Sequence, residues 1–228
     1  MSHFNVAVFA RKPDELEGLL EPFNEVVDVD SPYAVFEEDE DGELNEVLGR
    51  RGYWRNPNAK YDYWVCGGRW RGQLKLKEGR TGIYGEASWM NRNALKDPAY
   101  CDQARVTDCD FSADPKTYEQ ALRTWEILVE GSPLRDGEKE TDYLRLYKPE
   151  YYIRQYGTKE NYARSLSMFH TFAFVTATGD WHEIGSMGWF GVDTSTADSR
   201  KTYQEEFAEY LKEAEAQDLY ISIVGMHI

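Results

Sequence analysis

The stretch "DLYISIVGMHI", residues 218–228, alternates apolar and polar positions as a strand does, and its reading decides the fold. Immediately before it, "RKTYQEEFAEYLKEAEAQ" places Tyr203, Phe207, Tyr210, Leu211 and Ala214 on one face of a helix. Further upstream, "HTFAFVT" and "WHEIGS" are two short strand-like runs joined by "ATGD", a glycine-containing turn, and they predict a β-hairpin. The last third of the chain therefore reads ββαβ.

The other end of the chain complements it. In "FNVAVFA", Phe4, Val6 and Val8 share one side of a strand. "KPDELEGLLEPF" continues as a short helix with Pro13 in its first turn, Leu16, Leu19 and Leu20 on its buried side, and Pro22 ending it. Joined through a central strand, the two ends give the β-α-β-β-α-β pattern of a ferredoxin-like sandwich. The expected class is α+β: one domain over residues 1–228, a mostly antiparallel sheet with helices on one face, and a large insertion at roughly 25–165. Within that insertion, "ADPKTYEQALRTWEILVEG" predicts a helix that starts at Asp114-Pro115 and ends at Gly131. Thr158 is the expected cap of another helix, running through Tyr162 and Leu166.

The chain has 228 residues and a formal net charge of -15. No run approaches the roughly 18 apolar residues of a membrane span, and the N-terminal stretch has no signal-peptide pattern, so no membrane partner and a cytoplasmic location are expected. Cys66, Cys101 and Cys109 form no metal-ligand spacing and cannot all pair within the chain, which suits a reducing compartment. No cofactor and no metal are expected. Asp108 and Asp110 form a DxD pair of a common kind, and His182-Glu183 falls short of HExxH because residue 186 is Ser186.

Charge is segregated along the chain. Residues 25–49 contain ten acidic side chains and no basic one, whereas 50–80 contain nine basic and two acidic ones. The acidic run, with Glu37, Glu38, Asp39, Glu40 and Asp41 at its centre, reads either as a solvated arm folded back on the basic segment or as a partner-binding surface. In the second case its carboxylates imitate a nucleic-acid backbone and occupy a basic site on another protein, while the chain itself binds no nucleic acid.

The basic segment is also aromatic. Tyr61, Tyr63 and Trp64 precede Gly67-Gly68, and Arg69, Trp70 and Arg71 follow. Rings stack on a base, guanidinium groups grip phosphate, and glycine lets backbone amides approach an anion, so these eight residues are the candidate ligand site for a nucleotide-like molecule. The competing reading places Trp64 and Trp70 in the core, with Tyr61 and Tyr63 on one face of a strand. Catalysis leans towards absent. The candidate groups are Cys66, which needs a histidine partner, and His170 or His182 as that partner or as a general acid or base in a phosphodiester or nucleotide hydrolase. His227, beside the C-terminus, reads as structural and His3 as frayed.

Together "LLEPFNE", "NPNAKYDYWVCGGRW", "GWFG" and the terminal "HI" resemble an uncharacterised family of accessory proteins encoded by tailed phages and prophages. The resemblance spans most of the chain and carries no active site to transfer. It implies a protein that acts inside the bacterial host cell, with antagonism of host defence as its setting. The partner is then a nucleotide-like small molecule or a host defence protein, and assembly into a homo-oligomer is a further expectation because sequestering pockets are often built at subunit interfaces.

Overall fold

The computed structural model describes residues 2–87, 97–143, 146–188 and 193–228. Trp189, Phe190 and Gly191 of the "GWFG" stretch therefore lie outside the described residues. The elements in chain order are β1 (His3–Ala10), α1 (Leu16–Leu20), β2 (Val35–Asn45), β3 (Arg50–Arg55), β4 (Tyr63–Gly68), β5 (Leu74–Lys75), β6 (Glu86–Ala87), β7 (Tyr100–Cys101) and β8 (Gln103–Arg105). There follow α2 (Pro115–Leu128), α3 (Pro149–Tyr156), α4 (Lys159–Ser167), β9 (Ala173–Val175), β10 (Trp181–Glu183), α5 (Ala197–Ala216) and β11 (Tyr220–His227).

The chain is α+β. Its main sheet runs β10-β9-β1-β11-β4-β6, with β8 also paired to β11. Strands β1 and β11, the two ends of the chain, lie antiparallel at its centre in the register His3 with His227 through Ala10 with Tyr220. Both are buried on both faces over most of their length, as central strands covered on each side must be. Phe4, Val6 and Val8 share one face as their alternation requires, and there they meet Val224, Met226, Leu16 and Leu20. The opposite face carries Ala7, Phe9, Phe174, Ile221 and Ile223 against Tyr203, Phe207 and Ala214 of α5. Helices thus cover both faces: α1 lies on one and α5 on the other, because β1 and β11 are apolar at odd and even positions alike.

Strand order departs from a ferredoxin-like sandwich in one respect. β9, the first strand of the C-terminal hairpin, lies parallel beside β1 and β10 takes the edge, whereas the ferredoxin-like order would place the hairpin's second strand beside the first. Burial accounts for the exchange: Ala173–Val175 is fully buried, whereas Trp181–Glu183 is only half-buried and suits an edge. The segment 25–165 is also less separate than an insertion, since β4 and β8 both hydrogen-bond to β11.

Two parts of that segment do leave the sheet. The acidic run forms β2 and folds back on the basic β3 as a hairpin, with Glu37 paired to Arg55 and Glu38 to Arg50. Helices α2, α3 and α4 enclose a second apolar cluster around Trp125, Tyr152 and Tyr162. Local chemistry sets their ends. The Asp114 carboxylate accepts the Thr117 amide at 3.0 Å ahead of α2, and Thr158 Oγ1 accepts the Asn161 amide at 3.2 Å ahead of α4, caps that contribute about 1 kcal/mol each.

Candidate functional site

The motif segments at 19–25 and 56–61 are bound to each other. The Asn56 side chain donates to the Pro22 and Asn24 carbonyls at 2.8 and 2.9 Å, and the Tyr61 hydroxyl donates to the Leu20 carbonyl at 3.0 Å. Tyr61 is 2% exposed, and burial beside Glu21 and Glu17 raises its phenol well above the usual range. It is an anchor of the α1 face. Tyr63 does not share its surroundings: β4 begins only at Tyr63, and the ring there is 60% exposed on the other side of the sheet.

From Tyr63 onward β4 alternates regularly against β11. Trp64 and Cys66, opposite Met226 and Val224, turn to the α1 face, whereas Tyr63 and Val65, opposite His227 and Gly225, turn to the α5 face. The chain then reverses through Gly67 and Gly68, both at positive φ (82° and 56°), and the Trp70 amide closes the turn on the Gly67 carbonyl at 3.0 Å. A methyl group on Gly67 would stand 2.8 Å from the Asp102 carboxylate, so glycine is needed there for space as well as conformation. Asp102 is fully buried and holds the turn from behind by accepting the amides of Gly72 and Gly85.

This turn overhangs a cleft of about 470 Å³ on the sheet. It is lined by His3, Tyr63, Val65, Gly225, Met226 and His227 of the sheet, by Gly68, Arg69 and Trp70 of the turn, and by Glu86 and Ala87 of β6, which pair with Gly67 and Gly68. Trp70 reaches over Gly225, where any Cβ would lie 3.1 Å from the indole. The size falls within the range of about 300–1,000 Å³ typical of small-molecule sites. Arg69 is exposed at the rim, and its guanidinium forms no ion pair or hydrogen bond among the described residues.

Two histidines that sequence reading treated as structural or frayed lie in this cleft. His3 and His227 face each other across the β1–β11 pair, their rings edge to face with centroids 4.8 Å apart. His227 Nδ1 lies 2.7 Å from Asp62 Oδ1; a carboxylate can only accept, so Nδ1 carries a proton, and in the neutral tautomer Nε2 is the acceptor. Burial, with Arg69 and His227 nearby, holds the His3 imidazole below its ordinary pKa and favours its neutral form. Their separation in sequence hid the pair. The available signal was that each stands near the outer end of a terminal strand, so that antiparallel pairing of the two strands brings them together.

The other sequence candidates are dispersed. Gly67 sits behind the cleft, and Arg71 leaves it to lie over the Tyr84 ring at 5.2 Å. Cys66 turns to the α1 face, and burial, with Asp102 next in order, pushes its thiol up to about 12, the reverse of an activated nucleophile. His182 is on the opposite face from Cys66, stacked on Phe174 at 4.5 Å and 3.1 Å from Glu206 Oε2. His170 lines a different cavity of about 280 Å³ under α5, walled by Phe111, Met168, Phe169, Tyr203, Phe207 and Leu211. There Arg200 is committed, to Gln155 at 3.1 Å, Ser195 at 2.7 Å and Asp193 at 3.5 Å. Asp108 and Asp110 pair with Arg80 and Lys75 at 3.3 and 2.6 Å. Among the described residues no group of three His, Cys, Asp or Glu side chains converges as a metal site requires, and no helix is long and apolar enough to cross a membrane.

Of the eight proposed ligand residues, Tyr63, Gly68, Arg69 and Trp70 line the cleft, joined by His3 and His227. No family model, curated protein or solved structure matches the chain, so the reading of this cleft rests on its own geometry.

Proposed function

We propose that the chain binds a nucleotide-like anion, an aromatic ring carrying phosphate, in the cleft between β4, β11 and the turn at 67–70. The observation that carries this reading is the convergence of an uncommitted guanidinium, Arg69, with the exposed Tyr63 ring and the half-buried Trp70 indole around one cavity of suitable size. Guanidinium supplies paired hydrogen bonds to phosphate, and the rings supply stacking surfaces. The resemblance to phage accessory proteins gives the setting: sequestration of such a ligand in the cytoplasm of a bacterial host, in opposition to host defence.

The competing reading, an acidic surface that imitates nucleic acid, is weakened by the pairing of Glu37 and Glu38 with arginines of β3. Asp39, Glu40 and Asp41 remain exposed where β2 bulges between Glu38 and Glu43, and provide the discriminating control. Small molecules released on denaturing the purified protein are to be identified by mass spectrometry, and AMP and 3′,5′-cyclic AMP titrated calorimetrically as probes. Arg69→Ala is expected to weaken binding about 10- to 100-fold, the loss of one charge-assisted contact of about 1.5–3 kcal/mol. The triple change Asp39→Asn, Glu40→Gln, Asp41→Asn is expected to leave it unchanged. A protein that releases nothing and binds neither probe defeats the reading.

A further inference from the structure

The proposed ligand reading uses Arg69 and the rings but assigns nothing to the two imidazoles on the cleft floor. We propose that the cleft hydrolyses a phosphodiester, with His227 as general base, His3 as general acid and Arg69 holding the phosphate. This inference rests on the proposed reading of the cleft as an anion site and adds turnover to it.

Asp62 fixes His227 through Nδ1 at 2.7 Å, so the other ring nitrogen is available as an acceptor on the cleft side, where His227 forms part of the floor. This is the arrangement in which a carboxylate sets the tautomer of a catalytic base. His3 stands beside it, rings 4.8 Å apart, so that both imidazoles address one small volume below Arg69. A diester suits that volume better than a monoester. It carries one negative charge against one guanidinium with no partner among the described residues, and Glu86, which also lines the cleft beside Gly67, opposes further negative charge. Its leaving group is also an alkoxide that needs a proton.

In the step itself, water gives a proton to His227 Nε2 as its oxygen attacks phosphorus. The new P–O bond forms, the P–O bond to the leaving alcohol breaks, and His3 in its imidazolium form supplies the proton that the departing oxygen takes. The products are an alcohol and a phosphomonoester, the net change is addition of one water, and solvent returns the proton from His227 to His3. Burial, Arg69 and His227 depress His3 in the empty cleft, and the charge of the bound diester opposes that depression.

The test uses the full chain with bis(p-nitrophenyl) phosphate and 3′,5′-cyclic AMP, following products by absorbance and by phosphorus NMR. Wild type should release p-nitrophenol or open the cyclic ring. With 3′,5′-cyclic AMP, His227→Gln and His3→Gln should each lower kcat about 100-fold or more, the usual contribution of a general acid or base, with unchanged thermal melting; with bis(p-nitrophenyl) phosphate, whose leaving phenolate needs no proton, only His227→Gln should do so. Asp62→Asn, a positioning change, should lower kcat while leaving KM in place. Glu206→Gln, at the distant His182, should have no effect. If probe binding is lost in Arg69→Ala but wild type turns over neither probe, the hydrolysis is overturned and the binding reading stands. If neither binding nor turnover is seen, both fall. Turnover of 3′,5′-cyclic AMP that survives in either variant, or of bis(p-nitrophenyl) phosphate that survives in His227→Gln, also overturns the assignment.

Discussion

The cleft beside Arg69 and the cavity under α5 have volumes of about 470 and 280 Å³; the cleft is lined by His3, His227 and Arg69, the cavity by His170, Arg164 and Arg200. They differ in what those groups already hold. Under α5, Arg200 is bonded to Gln155, Ser195 and Asp193, and core side chains such as Phe169, Tyr203 and Phe207 share the lining with the charged Arg164, Lys201 and Glu205. In the cleft, Arg69 has no ion-pair or hydrogen-bond partner among the described residues, and the two imidazoles lie beside Tyr63, Val65 and Gly225. Volume does not distinguish the two; the state of the charged groups does. A guanidinium that is satisfied within the protein stabilises the fold, and one left facing a cavity is free for an anion.

The largest effect that separates them is on stability. Phe207 is 5% exposed and touches Phe9, Phe169, Phe174 and Tyr203, so Phe207→Ala should cost about 3–5 kcal/mol in denaturant unfolding. Binding of AMP per folded molecule should not change. A loss of affinity equal to that from Arg69→Ala, in protein still folded, would mean that the two cavities act as one site and the contrast is false.

Gly67→Ala sharpens the comparison from the other side. Its φ of 82° is the left-handed region, and the added methyl would press on Asp102, which anchors the amides of Gly72 and Gly85. The expected cost is about 1–3 kcal/mol of stability, and unlike Phe207→Ala it should also weaken probe binding, because Arg69 and Trp70 are carried by the displaced turn. Stability loss with undiminished binding would show that the turn does not position the anion site.

How much of this could be read in the sequence follows from the range of the interactions. Alternation in 218–228 and 4–10, the caps Asp114 and Thr158, and the glycine turn between β9 and β10 are local signals, and each is found where expected. Strands β4 and β8 escaped as members of the main sheet because they are short or glycine-rich and take their place only by pairing with β11. Tyr61 and Tyr63 do not share one face of a strand for a related reason. Tyr61 and Tyr63 have the same parity, but Tyr61 bridges Asn24 whereas Tyr63 pairs with His227, so parity does not carry across the start of the strand. His3 and His227 are 224 positions apart, and only the register of the terminal strands makes them neighbours.

The smallest effect is on proton linkage, and it opposes the two cavities directly because His3 and His170 are both depressed by burial. A base held neutral in the fold binds fewer protons native than unfolded below its unfolded pKa of about 6.5, so each histidine contributes stability above that value that is lost as pH falls. His3→Gln and His170→Gln should each flatten the stability profile on the acid side of neutrality. An anionic ligand should discriminate between them. A phosphate beside His3, among Arg69, His227 and Asp62, favours the imidazolium and takes up a proton on binding, so the affinity of 3′,5′-cyclic AMP, which stays a monoanion over this range, should rise a few-fold as pH falls from about 7 to 5.5. That rise should persist in His170→Gln, whose nearest described charge is Arg200, and vanish in His3→Gln. Calorimetry in two buffers of different ionisation enthalpy counts the protons taken up. Equal uptake in wild type and His3→Gln would place the anion elsewhere than on this cleft floor.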